Sequence, residues 1–239
     1  IELAGINENS VIDGGEVMMK DGKITGVLID NAIDLIRSII PEFSREDKML
    51  ALTRAQQDCY NVGLTSVTDA GLDKDEILLI DQMHKNGKLD IRVYAMLSPT
   101  TENLNHFFKI GPIHNDKLTV SSVKLYIDGA LGSRGALLLE PYSDASHSHG
   151  LQMNSQSYYD SICNMAYNAR FQVNTHAIGD SGNRIMLNSY AKYLKGKNDK
   201  RWRIEHAQIV EPSDRKYFHD YSIIPSVQST HCTSDMYWA

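Results

Sequence analysis

From Leu64 onward the chain alternates short runs rich in β-branched residues with longer stretches of helical period, and this rhythm limits the possible folds more than any other feature. Strands are predicted over residues 65–69, 91–97 and 120–127, in the runs that carry His176 and His206, and over 223–227. Helices are predicted over 74–86, 102–109, 156–170, 181–194 and 212–219. A strand, a helix and another strand in succession return the chain to the same end of the sheet, so the strands run parallel and the class is α/β. Six strands of this kind are counted, whereas a closed barrel of parallel strands needs eight.

Residues 1–62 do not share the rhythm. Asp21-Gly22 between the apolar-rich runs 16–20 and 23–29 predicts a hairpin. Ile33, Leu35, Ile36, Ile39 and Ile40 suggest a helix stopped by Pro41, and Ser44 with Asp47 opens a longer one that reaches about Asn61 and ends at Gly63. The expected organisation is a flanking segment over 1–62 and a (β/α) domain over 63–239. The polar stretch 128–155 is read as a long functional loop.

At 239 residues the chain can bury one substantial core. A net charge of -6 gives no reason to expect nucleic acid or an anionic membrane surface as partner, and small-molecule chemistry is the better expectation. Cys59, Cys163 and Cys232 are too scattered for a disulfide framework and are read as free thiols. No apolar run reaches the roughly 18 residues a membrane span requires. The amino end lacks a secretory pattern, so a cytoplasmic location is expected over a secreted one.

Three strand-like runs carry a residue that an apolar sheet would not ordinarily accept: Lys124, His176 and His206. Gln172, Asn174 and His176 share one strand face, and Gly179 and Asp180 then turn the chain toward a helix. Val123, Leu125 and Ile127 can face covering helices, which leaves Lys124, Tyr126 and Asp128 on the opposite side. Around His206 the parity is less tidy, because Ile204 shares its face; a bulge or a strand end near Glu205 is needed to turn the imidazole inward. A histidine at the carboxyl end of a strand, just before a helix, stands where α/β barrels gather their reactive groups.

Five segments together carry a family resemblance: GLTSVTDAG at 63–71, KLYIDGALGSRGALLLEPYSD at 124–144, NTHAIGD at 174–180, RIEHAQ at 203–208 and PSVQSTHCTSD at 225–235. In order and spacing they resemble the amidohydrolase superfamily of metal-dependent hydrolases, and within it the YtcJ-like branch that includes N-substituted formamide deformylases. The resemblance implies a (β/α)8 TIM barrel of the metal-dependent hydrolase type, incomplete here, with strands two to seven present. The His-x-His pair of the family's first strand and the general acid-base Asp of its eighth are not found in their places.

The resemblance further implies that Lys124, His176 and His206 are ligands of a divalent metal, zinc being the expected ion, with one or two ions in the complete enzyme. Lys124 matches the family's carboxylated lysine, which would remove the cost of a buried ammonium. Hydroxide made available by the cation would attack the carbonyl of an amide-type small-molecule substrate, cleaving a C–N bond other than a peptide bond. Asp128, Arg134, His231 and Asp235 are expected to line the substrate side.

Each assignment has a plainer alternative. Lys124 could be an edge-strand lysine that discourages aggregation. Asp180 is read chiefly as a helix cap, Asp128 and Arg134 could form a loop ion pair, and Glu205 could pair with Arg203. His147-Ser148-His149 imitates the missing pair but lies in a polar loop after Pro141, so it is not expected to bind metal. The chain could also be a non-catalytic scaffold. The free edges of an incomplete barrel are expected to be covered by residues 1–60 or by another copy in a homo-oligomer.

Overall fold

The computed structural model describes residues 1–234. In chain order, β1 (Gly15–Lys20) and β2 (Lys23–Asp30) form the expected hairpin, with Asp21 and Gly22 both at positive φ in its turn. A single helical turn, α1 (Asp34–Arg37), and the longer α2 (Arg45–Asn61) follow. The alternation then runs β3 (Ser66–Leu72), α3 (Lys74–Lys85), β4 (Arg92–Leu97), α4 (Thr101–Ile110), β5 (Ile113–His114), β6 (Leu118–Tyr126), α5 (Gln156–Ala169), β7 (Gln172–Ala177), α6 (Asp180–Leu194), β8 (Arg203–His206), α7 (Lys216–Asp220), β9 (Ile224–Ser226) and α8 (His231–Ser234). The six predicted strands are all present. The two-residue β5, antiparallel to β6, is an addition that its length hid.

The chain divides into two compact units. One comprises residues 42–125 and 164–174. Its strand order is β3-β4-β6-β7, with parallel registers from Ser66↔Arg92 to Leu72↔Leu97 and from Val93↔Leu118 to Leu97↔Val123. Ile77, Leu79, Ile80 and Met83 on α3 are buried, at the spacing one helix face requires. Asn103 is buried, and its side-chain N–H groups donate to the carbonyls of Leu72 and Ser98, at 3.0 and 2.8 Å, tying α4 to the ends of two strands, while its buried Oδ1 has no hydrogen-bond partner.

In the same unit α2 buries none of its residues; it is tied outward by polar contacts such as Gln56 Oε1, which accepts from the Asp90 and Ile91 amides, and its ends are held by local terms. Ser44 Oγ accepts from the Asp47 amide at 3.1 Å, and Gly63 closes the other end at φ +80 with its N–H on the Tyr60 carbonyl. Ser44→Ala is therefore expected to cost about 1 kcal/mol. The loss should be local: amide exchange accelerates along α2 and stays unchanged in the buried strand β4.

The other unit comprises residues 1–41, 126–163 and 175 onward. Its hairpin packs around Ile6, Val17 and Ala32, with Ile24, Leu28, Leu35 and Ile36 against them. The strands follow in the order β7-β8-β9, and β8 and β9 are parallel from Arg203↔Ile224 to Glu205↔Ser226. Trp202 is fully buried with its ring 4.9 Å from that of Tyr190, whose hydroxyl lies 2.7 Å from Thr175 Oγ1 on the helix-facing side of β7. That contact fixes the parity of β7, with His176 on the other face.

Residues 127–155 form no strand or helix, as predicted, yet they are tightly fastened. Met153 donates to Ile127, Gly129 donates to Gly135, and the Leu137 carbonyl accepts from the amides of both Ser181 and Gly182 at 3.1 Å. The start of α6 is thus satisfied by this loop.

Among the described residues no pairing closes the sheet into a barrel; what is present is an α/β fold with a mostly parallel sheet. Five of the seven residues of β3 are exposed in the single chain. No helix among the described residues is long and apolar enough to cross a membrane.

Candidate functional site

His176 is the fifth residue of β7, and its strand geometry is regular. Its Nε2 lies 3.4 Å from the Gly129 carbonyl oxygen and 3.5 Å from Asp128 Oδ1. Both neighbours are acceptors, an arrangement that favours the proton on Nε2. The Tyr126 ring, which ends β6, stands 5.4 Å from the imidazole.

His206 reaches the same place by a different local device. It ends β8 and has φ +73, and Ala207 follows at φ +43, both in the left-handed region that side-chain-bearing residues avoid. The strand end that the sequence parity demanded near Glu205 therefore falls at His206 itself. The turn sets the His206 ring 4.6 Å from that of His176, edge to face. His206 Nδ1 lies 3.0 Å from Gln228 Oε1, and the His231 ring is 6.2 Å from that of His206. Three of the predicted residues, His176, His206 and His231, thus gather at one end of β7, β8 and the segment after β9.

Asp128 is completely buried. Its Oδ2 accepts from the amides of Leu137 (2.9 Å) and Gly179 (2.8 Å), and its Oδ1 from that of Ile178 (3.0 Å). Burial pushes its carboxyl up to about 6, against the pull of these three N–H groups, with a smaller upward push from Asp30. Asp30 was not foreseen in this neighbourhood. It sits at φ +50, burial raises its carboxyl above the ordinary range, and its buried Oδ2 has no hydrogen-bond partner. A Cβ on Gly135 would come within 2.6 Å of that oxygen, so the glycines of the 129–135 turn make room for it. Nothing around Asp30 in the sequence signals this packing, nor the approach of Gln228 to His206.

The other predicted residues stand elsewhere. Lys124 is 3% exposed on β6, in the unit formed by residues 42–125 and 164–174. Arg134, at φ +59, makes two bonds to Asp144, at 2.8 and 3.1 Å. Asp235 lies outside the described residues. Asp180 is the first residue of α6 rather than its cap: Gly179 holds the cap position, and Asp180 Oδ1 accepts from the amides of Ser181 and Leu139. Arg203 and Glu205 form an ion pair of 2.9 Å. His147 and His149 are exposed on the loop. Cys59, Cys163 and Cys232 are free thiols.

For a divalent cation the chemistry of the donors fits in part. Two imidazoles at adjoining strand ends, one oriented by a carboxylate and the other by an amide, have the form of metal-ligating histidines with outer partners. Among the described residues no group of three or more His, Cys, Asp or Glu side chains is arranged to hold an ion.

Comparisons with known proteins agree with this chemistry. The amidohydrolase family model matches residues 1–239. Protein LONG AFTER FAR-RED 3 of Arabidopsis thaliana is 30% identical over 98% of the chain and 43% of its own length. YtcJ of Bacillus subtilis (strain 168) is 30% identical over 88% of the chain and 41% of its own. An uncharacterized metal-dependent hydrolase from Pyrococcus horikoshii OT3 superposes with a TM-score of 0.77 at 29% identity, covering 89% of the chain and 43% of that structure. The chain thus spans less than half the length of the proteins it matches.

Proposed function

Because the chain belongs to the amidohydrolase family, we propose that its gene product is a metal-dependent hydrolase that cleaves a C–N bond other than a peptide bond in a small amide or formamide. The observation that carries this reading is the edge-to-face pair of His176 and His206, 4.6 Å apart at the ends of β7 and β8. His176 Nδ1 and His206 Nε2 are the nitrogens assigned to the metal, since Nε2 of the first faces Gly129 and Asp128 and Nδ1 of the second faces Gln228. Lys124 is assigned as the third donor, in its carboxylated form, which turns a costly buried ammonium into an oxygen ligand.

A divalent cation of zinc type, when bound, lowers the pKa of water to roughly 7 and polarises a carbonyl oxygen. The chain's own residues do the rest. Asp128 and the Gly129 carbonyl stand beside the His176 imidazole, and the backbone turn at His206 and Ala207 aims the second one. Arg134, His231 and Asp235 are assigned to the substrate side, Arg134 by exchanging its bonds to Asp144 for a substrate carboxylate or carbonyl.

The test is metal analysis of the purified full-length gene product together with a screen of formamides, N-acyl amino acids and cyclic amides. Zinc should co-purify, a chelator should abolish hydrolysis of at least one amide class, and added zinc should restore it. A protein that retains no divalent metal and hydrolyses none of the three classes would overturn the proposal.

A further inference from the structure

The sequence places Asp128 on the substrate side, but its surroundings suit a different task. Its carboxylate is wholly buried and holds three backbone amides, from Leu137 in the 127–155 loop and from Ile178 and Gly179 in the turn after β7. Oxygens occupied in this way have little left to offer a diffusing molecule. The remaining direction of Oδ1 leads to His176 Nε2, 3.5 Å away, beside the Gly129 carbonyl at 3.4 Å.

We infer that Asp128 is a positioning residue: it fixes His176 as the Nε2–H tautomer and sets the plane of its ring, and it contacts no substrate. A buried carboxylate held by three amides cannot swing, so the imidazole beside it has one orientation. The same amides belong to the loop and to the start of α6, so orientation of the ring depends on how the loop is seated. This rests on the proposed role of His176, but the tautomer can be read in metal-free protein, where that role is not assumed.

Gly182 offers a way to disturb the carboxylate without deleting it. A Cβ at this position on α6 would lie 2.8 Å from Asp128 Oδ2 and 3.2 Å from Ile127 Cγ2, so alanine must push the carboxylate aside. Alanine is otherwise the better helix former, which protects the variant against unfolding.

The experiment is long-range proton–nitrogen correlation of the histidine side chains in metal-free, nitrogen-15-labelled full-length protein, with His176 assigned from His176→Asn. Wild type should show the Nε2–H pattern at His176. Asp128→Asn and Gly182→Ala should both shift it toward exchange between tautomers, and cobalt titration should show affinity lower by about 10- to 100-fold, as for other outer partners of metal ligands. An Nδ1–H pattern in wild type, or an unchanged pattern in Gly182→Ala and Asp128→Asn alike, would overturn the inference. If the tautomers behave as stated while wild type binds no cobalt, the proposed hydrolase fails and the positioning role stands.

Discussion

Gly179→Ala is expected to destabilise the protein by about 3 kcal/mol or more, the upper end of what overpacking costs. The backbone at Gly179 has φ -72 and ψ 154, a conformation any residue adopts, so the penalty is steric and not conformational. An added Cβ would fall well inside van der Waals contact with the carbonyl and amide atoms of Leu137. Those atoms have nowhere to go. The Leu137 carbonyl accepts from Ser181 and Gly182, and its amide donates to Asp128, so moving it leaves amide groups at the start of α6 and a buried carboxylate oxygen short of partners. Urea unfolding would show the loss as a lower midpoint. Gly87→Ala is the control: it has φ +64 and open space around the new methyl, so it should cost only about the 1 to 2 kcal/mol of a left-handed residue. A Gly179→Ala protein that unfolds at the wild-type midpoint would refute this account of the loop.

Gly179 also shows where sequence reading stops. Its place between a strand and a helix was legible, because glycine before an aspartate at the end of an apolar run is a turn signal. That it makes room for another segment's backbone was not, since Leu137 lies 42 positions earlier and nothing local records the contact. The same division runs through the fold. Strand and helix identities followed from period, and Ser44 and Gly63 marked the ends of α2 by local chemistry. Six strands were already too few for a closed barrel, but the exposure of β3 did not follow, because it is a property of what stands beside the strand.

In the site, legibility followed backbone regularity. His176 lies on a strand whose alternation is intact, so its face could be read from Gln172 and Asn174 alone. At His206 the alternation breaks, and the parity argument could only require an irregularity without supplying its form. Asp128 was legible as a site residue and illegible as to role, since a carboxylate that holds three amides is distinguished from one that faces solvent only by burial. Asp30 was hidden altogether: its neighbours in the sequence are hairpin residues, while its carboxylate packs on the glycines of the 129–135 turn.

The largest effect on activity is expected at His206, and the choice of replacement separates its chemical role from its structural cost. Either His206→Ala or His206→Gly removes an imidazole assigned to the metal, so zinc content should fall and hydrolysis should drop by more than about 100-fold, beyond the loss from removing an outer partner. The two variants should differ in stability. Wild type holds a side-chain-bearing residue at φ +73, a strain of about 1 to 2 kcal/mol that alanine retains and glycine does not. Packing lost with the ring is common to both. His206→Gly should therefore unfold at a higher urea concentration than His206→Ala while being equally inactive, the pattern of a residue kept in a costly conformation for its chemistry. Retention of zinc and hydrolysis by His206→Gly would remove His206 from the metal site, and a His206→Gly protein less stable than His206→Ala would show that the backbone there is not under strain.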